Sequence, residues 1–148
     1  MAKTFKGRVI AKGEWKGKCV VTTRGFNTLA SYKKSLLAGG DKVFVSDQDN
    51  PDIYNNNITG IALCLPRTIG STTGGLVLQT VCSMNINPAA MLFSEHIDSL
   101  AASGIVFSRI WENSSMIAID QLGKEFLDYI KTDMTIEIMQ DGTVIVNG

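Results

Sequence analysis

Apolar and polar positions alternate loosely from Phe5 to Ala11, and Lys18-Cys19-Val20-Val21-Thr22-Thr23 is rich in strand formers, with Gly13-Glu14-Trp15-Lys16-Gly17 between them. The pattern predicts an opening β-hairpin. Trp15, at its turn, either packs over a sheet edge or makes a contact. Leu29, Tyr32, Leu36 and Leu37 then recur at helical spacing between a break at Gly25-Phe26-Asn27 and a stop at Gly39-Gly40, so the Arg24 to Gly40 segment contains a short helix. Val43-Phe44-Val45 predicts a short strand, followed by a polar loop from Ser46 to Asn57.

Ile61-Ala62-Leu63-Cys64-Leu65 and Ala89-Ala90-Met91-Leu92-Phe93 are continuous apolar runs, the pattern of strands buried on both faces. Between them Leu76, Val77, Val81 and Met84 fall at helical spacing, with Thr80 on the same side. Strand, helix and strand predict a right-handed parallel crossover. Ser94-Glu95-His96-Ile97-Asp98 is a turn into a helix that starts near Ser99 and continues through Trp111. Met116 to Asp120 is a strand, and Gly123 to Ile130 a helix with Phe126, Leu127 and Ile130 inward. Met134 to Met139 and Thr143 to Val146 form a second hairpin on an Asp141-Gly142 turn. The sum is an α/β fold over residues 1–148, one domain of β/β/α type, with a parallel strand-helix-strand core and flanking β-hairpins.

The stretch Leu65-Pro66-Arg67-Thr68-Ile69-Gly70-Ser71-Thr72-Thr73-Gly74-Gly75 joins the first buried strand to the crossover helix. Ser71 or Thr72 suits the cap of that helix, whose free N–H groups and dipole face outward. Glycines let an anionic group approach the backbone, and Arg67 adds a bidentate partner for a carboxylate or phosphate. The spacing is neither that of a Walker A loop nor that of a dinucleotide fingerprint. An anion-binding loop and an ordinary capped helix satisfy it equally. Ligands of parallel sheets sit beyond the carboxyl ends of the strands, so the Ser94–Asp98 turn is expected on the same rim.

Charge removes several functions. Fourteen basic and fourteen acidic residues cancel, without a block of one sign, which argues against a nucleic-acid surface. The longest apolar runs fall short of the ~20 residues of a membrane span, and no signal core follows the first residues, so a cytoplasmic protein is expected. Cys19, Cys64 and Cys82 form no CxxC pair and read as buried free thiols rather than metal ligands. Asp47, Asp49 and Asp52 lack the Gly and terminal Glu of a calcium-binding EF-hand loop and read as solvated. His96 is the single histidine, so general acid/base work and a plain surface position both stand open, and no GxSxG elbow supports a triad at Ser71. With 45% hydrophobic and only 19% charged residues, part of the apolar surface is expected to lie under a partner.

The order of elements, the 65–75 stretch, Ala90-Met91-Leu92-Phe93-Ser94-Glu95 followed by Gly104-Ile105-Val106, Lys6-Gly7-Arg8-Val9-Ile10 and Asp141-Gly142-Thr143-Val144 together resemble the swivel domain of aconitase X. The resemblance implies the small subunit of a hydro-lyase that dehydrates a small hydroxy acid. It implies a large catalytic subunit as partner and an iron–sulfur cluster or iron in that subunit, with no metal ligand here. Ser71 then aligns with the loop serine that takes the substrate proton, while Gly70, Thr72 and their neighbours hold the carboxylate and Arg67 assists. Two family substrates fit, cis-3-hydroxy-L-proline and 5-phosphomevalonate. Because Arg67 is the one cation near the loop, the amino acid is the expected substrate and the phosphate ester the alternative. Two departures stand out: Arg24-Gly25-Phe26-Asn27-Thr28-Leu29 replaces a Ser-Phe-Gly-Gly-type segment, and Gly75 replaces a second serine.

Overall fold

The computed structural model describes residues 2–39, 41–70 and 73–147, so Ser71 and Thr72 lie outside the described residues. In chain order the elements are β1 (Ala2–Lys6), β2 (Arg8–Ala11), β3 (Trp15–Val21), β4 (Phe26–Asn27), α1 (Thr28–Ala38), β5 (Ala62–Leu65), β6 (Thr68–Ile69) and α2 (Gly74–Ser83). They continue with β7 (Ala90–Phe93), α3 (Ser99–Trp111), β8 (Ile117–Asp120), α4 (Lys124–Tyr129), β9 (Thr135–Ile138) and β10 (Thr143–Asn147).

The four strands β3, β5, β7 and β8 run parallel and adjacent; the β5–β7 pair is the one the two apolar runs predicted, and β3 and β8 extend it on either side. Their side chains alternate between two cores. Leu63, Leu65, Met91 and Phe93 face α1, α2 and α3, while Ala62, Cys64, Ala90 and Leu92 face α4 and the terminal strands. Burial on both faces is why these segments are apolar without alternation. Each fully buried Leu, Met or Phe among them contributes about 1.5–3 kcal/mol relative to exposure.

The opening hairpin does not form. β2 pairs with β8 and β1 with β10, both antiparallel, and β3 pairs with β9 along Trp15–Lys18 before turning to β5. Alternation locates strands but not their partners, and Gly7 decides the difference. The order β1-β10-β9-β3-β5-β7-β8-β2 places β1 and β2 at opposite ends, yet Gly7 alone separates them in sequence. The sheet therefore curls until its ends meet at this residue, where the Gly7 N–H donates to Gly142 O at 3.1 Å. A Cβ at Gly7 would collide with the Asp120 carbonyl oxygen and Ile119. The C-terminal hairpin forms as expected, with Gly142 at φ 92°.

Two helices turn a different face inward from the one their leucines suggest. In α1 the buried residues are Thr28, Ser31, Tyr32 and Ser35, with Leu29 and Leu37 outside. The Ser46–Asn57 loop lies against this helix through Ser46, whose hydroxyl donates to Ala30 O at 2.6 Å and whose N–H donates to Ser31 O. In α2 the inward set is Gly75, Val77, Leu78, Val81 and Cys82, rotated from the expected face, and Leu76 points out. Val43 and Val45 are buried, but the predicted strand is reduced to a single bridge from Phe44 to Asn57.

The rotation of α2 follows from its closest approach to α3. A Cβ at Gly104 would strike Gly75 O, and one at Gly75 would strike Leu100 O. Gly104→Ala should therefore push the helices apart at a cost of about 1–3 kcal/mol, read as a lowered urea midpoint with unchanged slope. An unchanged midpoint would mean that this contact is looser than described.

Candidate functional site

The carboxyl ends of β3, β5, β7 and β8 lie side by side, and the loops that leave them are stitched together by backbone hydrogen bonds. Thr22 N–H donates to Cys64 O, Ser94 N–H to Leu65 O and Glu95 N–H to Pro66 O, at 3.0–3.2 Å. Gln121 N–H donates to Glu95 O and Gly123 N–H to Ser94 O. Phe26 N–H donates to Arg67 O at 2.8 Å, which lets β4 and β6 run as a short parallel pair that the sequence pattern did not suggest. The two loops expected to share a rim do share it.

Side chains lock the same rim. Arg67 Nη1 lies 3.0 Å from Glu95 Oε2, and the Thr68 hydroxyl donates to Asp98 Oδ1 at 2.6 Å. Asp98 also caps α3 by accepting from Ala101 N–H. The cap position of α2 belongs to Thr73, two residues beyond Ser71. Gly70 has φ 101°, and a Cβ there would collide with the Asn27 side chain, which is held as the cap of α1 by Ala30 N–H. Only glycine fits this point of the loop without strain.

Of the expected site residues, the structure thus places Arg67 and Gly70 at the rim, while Ser71 and Thr72 fall outside the described residues. Arg67 already has a carboxylate partner, so a substrate anion has to share or displace Glu95. Bounded by Thr28, Thr68, Gly70, Gly74, Asp98 and Leu100 is a cavity of about 90 Å³. That is room for one terminal group of an acid, well below the roughly 300–1,000 Å³ of a complete ligand pocket. A larger cleft of about 540 Å³ opens at the opposite pole, but there Arg109 is engaged by the carbonyls of Lys12 and Met116 and Asn85 and Asn87 offer neutral amides.

Further round the rim stands a charged cluster that sequence reasoning missed. Asp120, fully buried at the end of β8, accepts from Arg8 Nε at 3.0 Å, Arg8 Nη2 at 2.8 Å and Ile97 N–H at 2.8 Å. Burial alone would raise its carboxyl; the Arg8 hydrogen bonds, the Ile97 N–H and the Arg8 charge outweigh that and hold it below the ordinary carboxylate value. The signal was an acidic residue closing the apolar strand Met116-Ile117-Ala118-Ile119-Asp120, with Arg8 on a strand read as part of a hairpin. His96 lies beside this pair, with Nδ1 2.7 Å from Ile97 O and Nε2 3.4 Å from Arg8 Nη2. Those partners assign the Nδ1–H tautomer. The ring is largely exposed and touches no nucleophile among the described residues.

Asp52 accepts from Thr22 Oγ1 and Thr23 N–H, and Asp47 from Asp49 N–H, so the acidic loop ties down the end of β3. Cys19 and Cys64 sit in one core and Cys82 in the other, all as free thiols. Burial pushes the Cys64 thiol up, while a hydrogen bond from Cys64 lowers Cys19. Among the described residues no three His, Cys, Asp or Glu side chains are placed to hold a metal ion. Among the described residues no helix is long and apolar enough to cross a membrane.

Comparison with known proteins matches this architecture. The chain is 31% identical over 108 residues to the phosphomevalonate dehydratase small subunit of Pyrococcus furiosus, covering 72% of this chain and 73% of that one. The corresponding small subunit of Thermococcus kodakarensis is equally similar, with 74% of its length covered. The fold superimposes on the crystal structure of Thermococcus kodakarensis aconitase X in its holo-form with a TM-score of 0.80, at 23% identity and 99% coverage of both chains. The aconitase X swivel domain matches residues 4–146, and the chain belongs to that family.

Proposed function

We propose that this chain is the small subunit of an aconitase X-type dehydratase whose substrate is 5-phosphomevalonate. The observation that carries the reading is the shared identity with two small subunits of phosphomevalonate dehydratase, each over about three-quarters of its length. It replaces cis-3-hydroxy-L-proline, the expectation drawn from the scarcity of cations around the loop. Arg67 is itself paired with Glu95, but the cavity accepts only one end of an acid, so the scarcity of cations here bears on the carboxylate end and not on the phosphate end. The carboxylate end enters the loop, and the phosphate end extends into the partner, which supplies its cations.

In this reading Ser71, as an alkoxide, takes the proton next to the carboxylate, hydroxide leaves the adjacent carbon, and a C=C bond forms. The α2 N-terminus, which carries no acidic residue in its first turn, favours the negative charge on the serine and on the carboxylate. Gly70 permits the backbone to approach the carboxylate. The metal centre belongs to the large subunit. Three buried thiols suit a reducing compartment such as the cytoplasm.

The test is a two-substrate assay on the complex of this chain with its large subunit. We expect kcat/KM for 5-phosphomevalonate to exceed that for cis-3-hydroxy-L-proline by at least about 10³-fold, because a site with buried partners for a phosphate rejects a ligand that lacks one. A preference for the hydroxyproline would reverse the assignment.

A further inference from the structure

Helix α3 is apolar on both sides. Ala101, Gly104, Ile105 and Ser108 face the core, and the opposite arc carries Leu100, Val106, Phe107, Ile110 and Trp111, from 41% exposed at Val106 to 71% at Trp111. Ser99, in the first turn, and Ser103 are the polar residues on that arc. A helix that is hydrophobic all round is normally buried all round. Here half of its circumference meets solvent, over a length of about 20 Å for its thirteen residues. Exposed apolar patches of this extent mark interaction surfaces, and Trp and Phe are the residues enriched there.

The stripe does not end with α3. Leu100 borders the small cavity at the rim together with Ile69 (49% exposed), which carries the apolar surface onto β6, and Leu76 (65% exposed) projects from the first turn of α2, next to Gly75, whose Cα faces Leu100 O. We propose that this continuous surface, from Ile69 and Leu76 at the rim along α3 to Trp111, is where the large subunit docks. The proposal rests on the reading of the chain as a small subunit, and continuity with the incomplete site selects the occupant. A partner that completes the 90 Å³ cavity has to cover Ile69 and Leu100, and so reaches the rest of the stripe without a second contact. A second copy of this chain seated there would close the loop while bringing no metal-binding set of its own among the described residues.

The experiment compares the wild-type chain with Ile110→Glu/Trp111→Glu and, at the other end, Leu76→Lys, by titration with the purified large subunit. Both variants alter exposed positions, so the thermal midpoint should stay within a few degrees of wild type. We expect binding at least about 100-fold weaker for the double variant, as for the loss of a central interface anchor. Affinity within threefold of wild type for both variants overturns the proposal. Sedimentation of the free chain supplies the other arm. A dimer abolished by the same substitutions, with large-subunit binding intact, assigns the stripe to self-association and also overturns it. A wild-type complex that forms but does not dehydrate 5-phosphomevalonate would refute the substrate reading and leave the docking result to stand or fall by the variants.

Discussion

Ser71→Ala in the assembled two-subunit enzyme is expected to lower kcat by about 10²–10⁴-fold, the range for a positioned proton acceptor. KM should change little, because in the proposed reading the carboxylate is held by backbone N–H groups, with Arg67 shared between it and Glu95, rather than by the serine hydroxyl. The complex should remain intact: the cap position of α2 is Thr73, and the rim is fixed by Arg67–Glu95, Thr68–Asp98 and the backbone bonds among its loops. Steady-state kinetics on the variant complex, with its mass checked by sedimentation, measures both. Turnover near wild type would remove Ser71 from the chemistry. His96→Ala should cost no more than about threefold, since its ring is exposed and bonded to Ile97 O and Arg8. A loss as large as that of Ser71→Ala would move the acid/base role to the histidine.

The second large effect concerns Arg8 and Asp120, and it is asymmetric. Asp120→Ala leaves the Ile97 N–H without its acceptor, at about 1–3 kcal/mol, while the half-exposed Arg8 recovers water. Arg8→Ala leaves a fully buried carboxylate with no cation, and should lower the thermal midpoint further than Asp120→Ala does. Equal losses would mean that Asp120 is better solvated than its burial indicates. The pair also sets a pH dependence. The carboxyl of Asp120 is lower in the folded state than in the unfolded chain, so its stabilisation is complete above about pH 4 and fades as the pH falls through the folded value. Denaturant titrations from pH 6 to pH 2 should show the wild type losing more stability across this window than Asp120→Asn.

Why these residues were found or missed follows from what period and composition encode. Leu63, Leu65, Met91 and Phe93 announced a doubly buried parallel pair because a strand covered on both faces has no polar side to display. Asn27 and Asp98, as caps, and Gly39, at φ 70°, fixed helix ends through local chemistry. Partners were beyond reach: nothing in Phe5 to Ala11 says that β1 and β2 split at Gly7 to opposite ends of the sheet. The inward face of α1 was equally hidden, because Thr28, Ser31 and Ser35 are buried by the following loop and not by their own polarity. At the site, glycine and hydroxyl residues located the loop, yet the salt bridge that occupies Arg67 and the Arg8–Asp120 pair join residues 28 and 112 positions apart. The surplus of apolar residues predicted a partner-covered surface, and the exposed apolar arc of α3 is the face proposed for it.

The most direct measurement is water loss from 5-phosphomevalonate by this chain alone, by the large subunit alone, and by the two mixed in equal amounts. The two-subunit account predicts turnover only in the mixture, saturating as the small chain is titrated to one equivalent. Full turnover by the large subunit alone, or no turnover by a complex that has demonstrably formed, would contradict it.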